Sequence, residues 1–253
     1  MKSLVLYTIP FSHYCEKARW SLERMGLAFE ERGHIPMVTR MLAIPRGATT
    51  VPFLLSDEGM LDDSTAIADY AHRHRTRSAG LFSEDPVIAQ QALDLEDRFD
   101  RRLGVATRAW GYSYLLDMPA LTTPMFAKQV PALEAAAVKR MMPFVSGFIR
   151  KGLRIKPETR AWAANRIDED FAAVEELLRD GRRYLCGDAL SIADITFASL
   201  AAPALGPAEY GGPLPKLEAF DGPMRTALDR WRDTMAGQFA LRIYREERSH
   251  QGL

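Results

Sequence analysis

Two nucleophilic side chains lie three residues apart near the start of the chain: the hydroxyl of Ser12 and the thiol of Cys15. An apolar run at residues 4–7 ends shortly before them, and a helical pattern begins near His13. A strand, a tight turn and a helix N-terminus therefore meet there, where free backbone N–H groups and the helix dipole favour negative charge. We predict that this junction stabilises a thiolate supplied by a bound ligand.

Ser12 has two possible roles in that geometry. Serine is a common N-cap residue, whose oxygen accepts a hydrogen bond from an N–H of the first helical turn. Alternatively, its hydroxyl donates to the bound thiolate while the helix N-terminus lowers the pKa of that thiol from about 8.5. Each unit by which this pKa falls favours the thiolate by about 1.4 kcal/mol.

Cys15 and Tyr7 are the alternatives to Ser12. A free cysteine is often a small buried side chain, but it could also be the nucleophile of a redox enzyme. A Cys-x-x-Cys pair is ruled out, because Ser12 occupies its first position. The phenol of Tyr7, at the end of the first strand, could also donate to a thiolate, although such an aromatic more often belongs to the core.

Two further segments contain residue types suited to binding a peptide. Pro52 is expected at the start of a strand, and a cis bond before it would turn the Val51 backbone outward, where an extended peptide can pair with it. Asp63 and Ser64 precede a helical pattern; besides capping it, they could bind the charged ends of an amino acid. A ligand with a thiol, a peptide unit and an amino-acid end would use all three places.

Strand and helix patterns divide the chain into a domain at residues 1–76, a linker at 77–86 and a domain at 87–253. The first domain has the order β-α-β-α-β-β-α, with an irregular short helix in its middle, which indicates a mixed α/β sheet. The second shows only helical patterns, beginning near residues 87, 126, 158, 191, 223 and 238. The helix expected at 126–152 contains Pro143, which predicts a kink or a break.

Composition narrows the class of protein. The chain has 33 Lys and Arg residues and 33 Asp and Glu residues, so its neutral balance predicts neither a nucleic acid nor a membrane as partner. Two cysteines form no disulfide framework, which favours a reducing compartment. The N-terminal apolar run is too short for a signal peptide, and no run approaches the roughly 18 apolar residues of a membrane helix. We therefore expect a cytoplasmic protein.

Three motifs in this order resemble those of glutathione transferases. Residues 12–19 resemble the motif of the family that begins with serine or cysteine, and Val51-Pro52 followed by Asp63-Ser64 resembles the glutathione-site signature. Residues 184–195 resemble the signature of the C-terminal domain. The resemblance covers both domains. It implies an α/β thioredoxin-like N-terminal domain with a mixed four-stranded sheet, followed by an all-α helical domain.

The resemblance also implies roles for individual residues. Ser12 matches the hydroxyl that activates glutathione, Val51 matches the residue whose backbone pairs with the cysteinyl unit, and Pro52 matches the cis-proline. Asp63 and Ser64 match the residues that hold the γ-glutamyl end.

Other positions depart from the pattern of the family or are less specific. No lysine aligns with the glycine end of glutathione, and the substitutes considered are Arg46 and Thr50. Residues 117–157 are longer than expected and could reshape the pocket or a dimer interface. Candidates for the second-substrate wall are Arg108, Tyr112 and Tyr114, for each of which a solvated or core-facing position is the alternative.

The sequence thus predicts a glutathione transferase of the detoxifying type. Glutathione is the co-substrate, a small hydrophobic electrophile is the second substrate, and no metal is expected. The resemblance implies a homodimer. Two alternatives are a non-catalytic binding or scaffold protein with this fold, and a thioltransferase or reductase that depends on Cys15. Ser191 and Asp194 form a capping box, to which we assign a structural role only.

Overall fold

The computed structural model of the protein describes residues 3–48, 50–77 and 79–248. A four-stranded mixed sheet with its helices comes first and a helical region follows, as the sequence predicts. Three parts of the predicted organisation include residues outside the described ones: residues 1, 2 and 49 of the first domain, residue 78 of the linker, and residues 249–253 of the second domain.

The sheet has the spatial order β2-β1-β3-β4, formed by β1 (Leu4–Thr8), β2 (Phe29–Gly33), β3 (Phe53–Ser56) and β4 (Gly59–Leu61). β1 pairs parallel with β2 and antiparallel with β3, which pairs antiparallel with β4. A parallel pair needs a crossover, and α1 (His13–Arg24) provides it. The predicted strand at Val51 begins two residues later, after Pro52.

Helices cover both faces of the sheet. α1 and α3 (Ser64–Arg73) pack on the face that carries Leu6, whereas α2 (Pro36–Ala43) lies on the face that carries Tyr7. Neighbouring residues of a strand point to opposite faces, so Leu6 and Tyr7 belong to different clusters. The irregular helix expected in this part of the chain is α2 followed by a 3₁₀ turn at Ile44–Arg46.

The helical region contains, in chain order, α4 (Pro86–Arg98), a π-helical turn (Phe99–Leu103), α5 (Gly104–Leu115), α6 (Pro119–Ala127), α7 (Ala132–Gly152), α8 (Thr159–Leu178), α9 (Ile192–Leu205), a 3₁₀ turn (Leu217–Ala219), α10 (Gly222–Asp233) and α11 (Met235–Glu247). α9 is buried over almost its whole length and contacts α1, α4, α5 and α11, which makes it the centre of the core. Among the described residues, no helix is long and apolar enough to cross a membrane.

The helix predicted at residues 126–152 is two helices, and Pro143 does not break the second. α6 ends at Ala127, α7 begins after Pro131, and α7 continues through Pro143 to Gly152. Proline deprives the carbonyl four residues earlier, at Lys139, of its donor. Both Pro143 and Lys139 are exposed, so that carbonyl can accept from water instead.

Charged side chains of α1 are buried where it meets the helical region. The Lys17 ammonium donates to Glu96 and lies 3.1 Å from Asp100 Oδ1. The carboxylate of Glu16 accepts from Arg248 Nε at 2.8 Å, just beyond the end of α11. Each of these buried charges meets an opposite charge. The ion pairs join α1 to the first helix of the helical region, through Glu96, and to the residue that follows its last helix, Arg248.

The predicted capping box at the start of α9 is present. Asp194 Oδ2 accepts from the Ser191 N–H at 2.8 Å and from the Ser191 hydroxyl at 2.7 Å, and Asp194 Oδ1 accepts from the Leu185 N–H at 2.8 Å. This buried carboxylate therefore accepts from two backbone N–H groups and one hydroxyl.

Replacing Asp194 with alanine is therefore expected to destabilise the protein more than replacing Ser191. Ser191→Ala removes one side chain of the cap and should cost about 1 kcal/mol. Asp194→Ala leaves several buried donors without an acceptor and should cost about 3 kcal/mol. Urea unfolding of the two variants measures both free energies, and equal losses would contradict this account.

Candidate functional site

A cavity of about 680 Å³ lies beside the N-terminus of α1, between the sheet domain and the helical region. One wall comes from the β1–α1 turn, from α2 and its 3₁₀ turn, and from residues 50 and 51; the other comes mainly from α5, α6, α7 and α9. This volume is within the range of about 300–1,000 Å³ that is typical of small-molecule sites.

Ser12 lies at the junction of the two walls, at the N-cap position of α1. Its N–H donates to the Ile9 carbonyl at 2.8 Å, which closes the tight turn after β1. Within the described part of α1, no N–H of the first turn donates to the Ser12 hydroxyl, so the side chain does not cap the helix. Ser12 therefore lines the cavity at the positive end of the dipole of α1.

Cys15 is not part of the cavity wall. Its thiol is fully buried and accepts from the Ile9 N–H at 3.4 Å. Burial raises the pKa of Cys15 to about 12, and hydrogen bonds from the Ile9 N–H and from Ser12 offset only part of that rise. The thiol therefore stays protonated near neutral pH, which disfavours it as a nucleophile.

Tyr7 also lies outside the cavity wall, on the α2 side of the sheet. Its ring stacks on Phe53 with 4.5 Å between centroids, and its hydroxyl accepts from Arg32 Nη1 at 3.0 Å. The Arg46 guanidinium lies over the same ring, 5.5 Å from its centre, so Arg46 is not at the cavity either. Tyr7 has the position of a core aromatic whose hydroxyl is satisfied.

The Val51–Pro52 peptide bond is cis, as the resemblance implies. Val51 lines the cavity next to Thr50, whose hydroxyl donates to the Asp62 carbonyl. Pro52 is buried directly before β3. The structure thus brings Val51 and Ser12 to one cavity.

Asp63 and Ser64 lie at the start of α3, outside the cavity wall. Asp63 Oδ1 accepts from the N–H of Thr65 at 2.7 Å and of Ala66 at 3.1 Å, so it is the N-cap of α3. Ser64 is buried as the first residue of the helix. These contacts show Asp63 in the capping role, the simpler of the two roles considered for it; binding the charged end of an amino acid was the other.

Of the three residues expected in the second-substrate wall, Arg108 and Tyr112 line the cavity and Tyr114 does not. The Tyr114 ring instead packs against Trp110 and under the Arg160 guanidinium, 4.1 Å from its centre. The reason is the phase of α5: two residues correspond to about 200° around a helix. Tyr112 and Tyr114 therefore face nearly opposite sides.

His13 and Tyr14 line the cavity as well, although nothing but their position after Ser12 indicated it. His13 Nε2 donates to the Gly104 carbonyl and Tyr14 Oη donates to the Asp100 carbonyl, each at 2.8 Å. These acceptors lie within and directly after the π-helical turn. A side chain at Gly104 would overlap Tyr14 Oη, so this close approach requires glycine.

His13 is a neutral ring. Burial lowers the pKa of His13 from 6.5 to about 3. The hydrogen bond to Gly104 raises this pKa in part, and the Arg108 charge lowers it further. A carbonyl oxygen can only accept, so Nε2 carries the proton and Nδ1 is the unprotonated nitrogen. Burial likewise raises the pKa of the Tyr14 phenol and keeps it a donor.

The charged side chains of the cavity wall, apart from the neutral His13, are cationic. Arg40 on α2 and Arg108 on α5 line it, and among the described residues no aspartate or glutamate does. Arg40 was not foreseen, because nothing in its spacing separates it from the other arginines. Nowhere in the described chain do three His, Cys, Asp or Glu side chains gather as a metal site.

Models of known families match both parts of the chain. The N-terminal domain of glutathione S-transferase matches residues 6–78, and its C-terminal domain matches residues 131–233. The chain belongs to the glutathione transferase family. Its Ser12 and Val51 fall within the first matched domain, whereas α5, with Arg108, lies between the two matches.

Solved structures share the fold of this chain. β-etherase LigF from Sphingobium sp. strain SYK-6 has a TM-score of 0.59 at 19% identity, over 95% of this chain and 99% of that one. A glutathione S-transferase from Methylobacillus flagellatus KT with glutathione bound has 0.55 at 15%, over 94% and 98%. Maleylacetoacetate isomerase from Anaeromyxobacter dehalogenans 2CP-1 has 0.51 at 20%, over 98% and 95%. No curated protein matches the sequence.

The low pKa of His13 predicts a loss of stability in weak acid. Below pH 6.5 the unfolded chain binds a proton at His13, whereas the folded chain binds it only near pH 3, so the free energy of unfolding falls as the pH drops through that interval. Between pH 7 and pH 4.5 the wild type should lose about 2–3 kcal/mol more than His13→Gln, which does not titrate. Urea unfolding across this range measures the difference, and parallel pH profiles of the two proteins would contradict it.

Proposed function

We propose that the protein is a glutathione transferase in which glutathione binds with its sulfur beside Ser12. One observation carries this proposal: Ser12 lines the cavity at the N-terminus of α1, and its side chain does not cap that helix. A thiol at this position would meet both a hydroxyl donor and the positive end of the dipole, and each favours the thiolate. The glutathione bound in the related M. flagellatus structure supports the choice of ligand.

The rest of the tripeptide would extend along the sheet-side wall. The Val51 backbone, beside the cis bond, would pair with the cysteinyl unit, as an added strand does. Arg40 would bind the glycyl carboxylate, since it lines this side of the cavity near Thr50. The γ-glutamyl end would reach the start of α3, where Asp63 and Ser64 lie.

The second substrate would occupy the helical side of the cavity. Leu115, Met125 and Phe148 give this side an apolar surface, which suits a small hydrophobic electrophile. Met125 belongs to α6 and Phe148 to α7, so the long segment at residues 117–157 shapes this pocket. The thiolate would attack an electrophilic carbon: a C–S bond forms, and the leaving group departs with its electron pair.

The alternatives are weaker on specific grounds. A thioltransferase or reductase that depends on Cys15 would need a thiolate, and burial raises the pKa of that thiol to about 12. A non-catalytic binding protein would not need a hydroxyl at the start of α1. The homodimer, the cytoplasmic location and the detoxifying role extend this proposal and rest on membership of the family alone.

Ser12→Ala is the direct test of the proposal. Loss of one donor to the developing charge should lower kcat by about 100-fold, because the hydroxyl acts on the thiolate. The Kd for glutathione should change by no more than about threefold, since the remaining contacts of the tripeptide are kept. Steady-state kinetics and calorimetry measure the two quantities.

Cys15→Ala is the matched control for that test, since Cys15 lies one helical turn away and outside the cavity. We expect conjugation to survive this change and to be lost with Ser12→Ala. The reverse result would establish the redox alternative. Equal losses of kcat and of glutathione binding in Ser12→Ala would argue for a merely structural serine.

A further inference from the structure

The arginine on the helical side of the cavity forms no ion pair with any residue that the structure describes. Arg108 is partly buried in a wall that contains Tyr112, Leu115 and Met125. Its guanidinium lies 5.8 Å from the centre of the Tyr14 ring, and within the described residues it forms no ion pair. Its charge nevertheless affects three neighbouring groups. It lowers the pKa of His13 together with burial, and it offsets part of the rise that burial causes in the pKa of Tyr14 and of Tyr112.

The fully buried cations of the described chain show how the protein compensates a buried positive charge. Every lysine and arginine that is fully buried in the described chain has acidic partners: Lys17 with Glu96 and Asp100, Arg19 with Glu16 and Glu31, and Arg248 with Glu16 and Glu23. A charge in an apolar environment is unfavourable without a partner. Arg108 differs in that it lines a largely apolar cavity wall to which no aspartate or glutamate of the described residues contributes.

Glutathione does not supply that counter-charge in the arrangement proposed above. Arg40 and Thr50 lie on the sheet side, where the glycyl carboxylate would bind. The γ-glutamyl carboxylate would lie at the start of α3, outside the cavity wall. Arg108 is on α5, beside the apolar side chains that would contact the second substrate.

We propose that the second substrate is an anionic electrophile, with an apolar body against Leu115, Met125 and Phe148 and a carboxylate bound by Arg108. This inference rests on the proposed function and adds the class of substrate to it. Guanidinium is suited to the role, because it binds a carboxylate through two parallel N–H donors and remains charged at any working pH. The carboxylate would anchor the substrate and would not take part in bond formation.

A matched pair of electrophiles tests this class. The probes are 4-(chloromethyl)benzoate and its neutral methyl ester, which carry the same reactive carbon. In each, the glutathione thiolate forms a C–S bond at the benzylic carbon as the C–Cl bond breaks and chloride leaves with the electron pair. The wild type should favour the acid over the ester in kcat/KM by about tenfold or more, as expected for a desolvated charge pair.

Three variants complete the design. Arg108→Gln should lower the acid-to-ester ratio of kcat/KM by about tenfold or more, and Arg108→Lys should restore part of it, because the charge returns without the planar fork. Arg40→Gln is the matched control: it should raise the KM for glutathione with both electrophiles alike and leave the ratio close to that of the wild type. Absorbance titration of the bound glutathione thiolate provides a second readout.

Each outcome decides between the two proposals. Turnover of the ester with no preference for the acid, or a ratio that Arg108→Gln leaves as it was, would overturn the inference and keep the proposed function. Arg108→Gln that slows both electrophiles equally and raises the pKa of bound glutathione would place Arg108 at the thiolate, which also overturns the inference. No binding of glutathione to the wild type in calorimetry would overturn the proposed function, and the inference with it.

Discussion

Two hydrogen bonds between the first turn of α1 and the helical region set the geometry of the site. His13 and Tyr14 donate to the backbone carbonyls of Gly104 and Asp100. Ser12 immediately precedes them and is held on its other side by the turn from β1. A group that must act on a reacting atom needs this kind of support from both sides, because a small displacement costs much of its effect. The position of Ser12 is thus a property of the contact between the two parts of the chain.

Electrostatics follow from the same contact. α1 has no side that faces bulk solvent along most of its length, so Glu16, Lys17 and Arg19 are buried and paired with charges from other elements. The cavity beside it differs, since its wall carries Arg40 and Arg108 without acidic residues among those described. The protein is neutral as a whole, yet the charged side chains that line this cavity are both cationic.

Local patterns in the sequence were sufficient for much of the fold. The alternation of strands and helices gave the mixed sheet, and the capping box marked the start of α9. The helix expected near residue 158 is α8, and its apolar residues at helical spacing, Ile167, Phe171, Val174 and Leu178, are buried. The family motifs indicated a shared site for Ser12 and Val51, and both line the cavity.

The remaining features depend on contacts that no local pattern contains. His13 meets Gly104 across 91 residues, and only the packing of the domains brings them together. Tyr114 was a candidate for the cavity wall but packs against Trp110 instead, because the sequence does not show which side of α5 faces the cavity. α7 does not break at Pro143, because the cost of a proline depends on whether the freed carbonyl reaches water, which only the exposure of α7 decides. Arg40 was overlooked for want of a local signal.

The π-helical turn at Phe99–Leu103 separates two helices that would otherwise be one. Such a turn contains one residue more than the α-helical path needs, and one residue amounts to about 100° of rotation. The face of α5 that carries Arg108 is therefore set independently of the face that α4 buries in the core. Gain or loss of a single residue at this turn would rotate a new set of side chains toward the substrate while α4 kept its packing. Changes in the length of this turn would therefore change which side chains of α5 line the pocket.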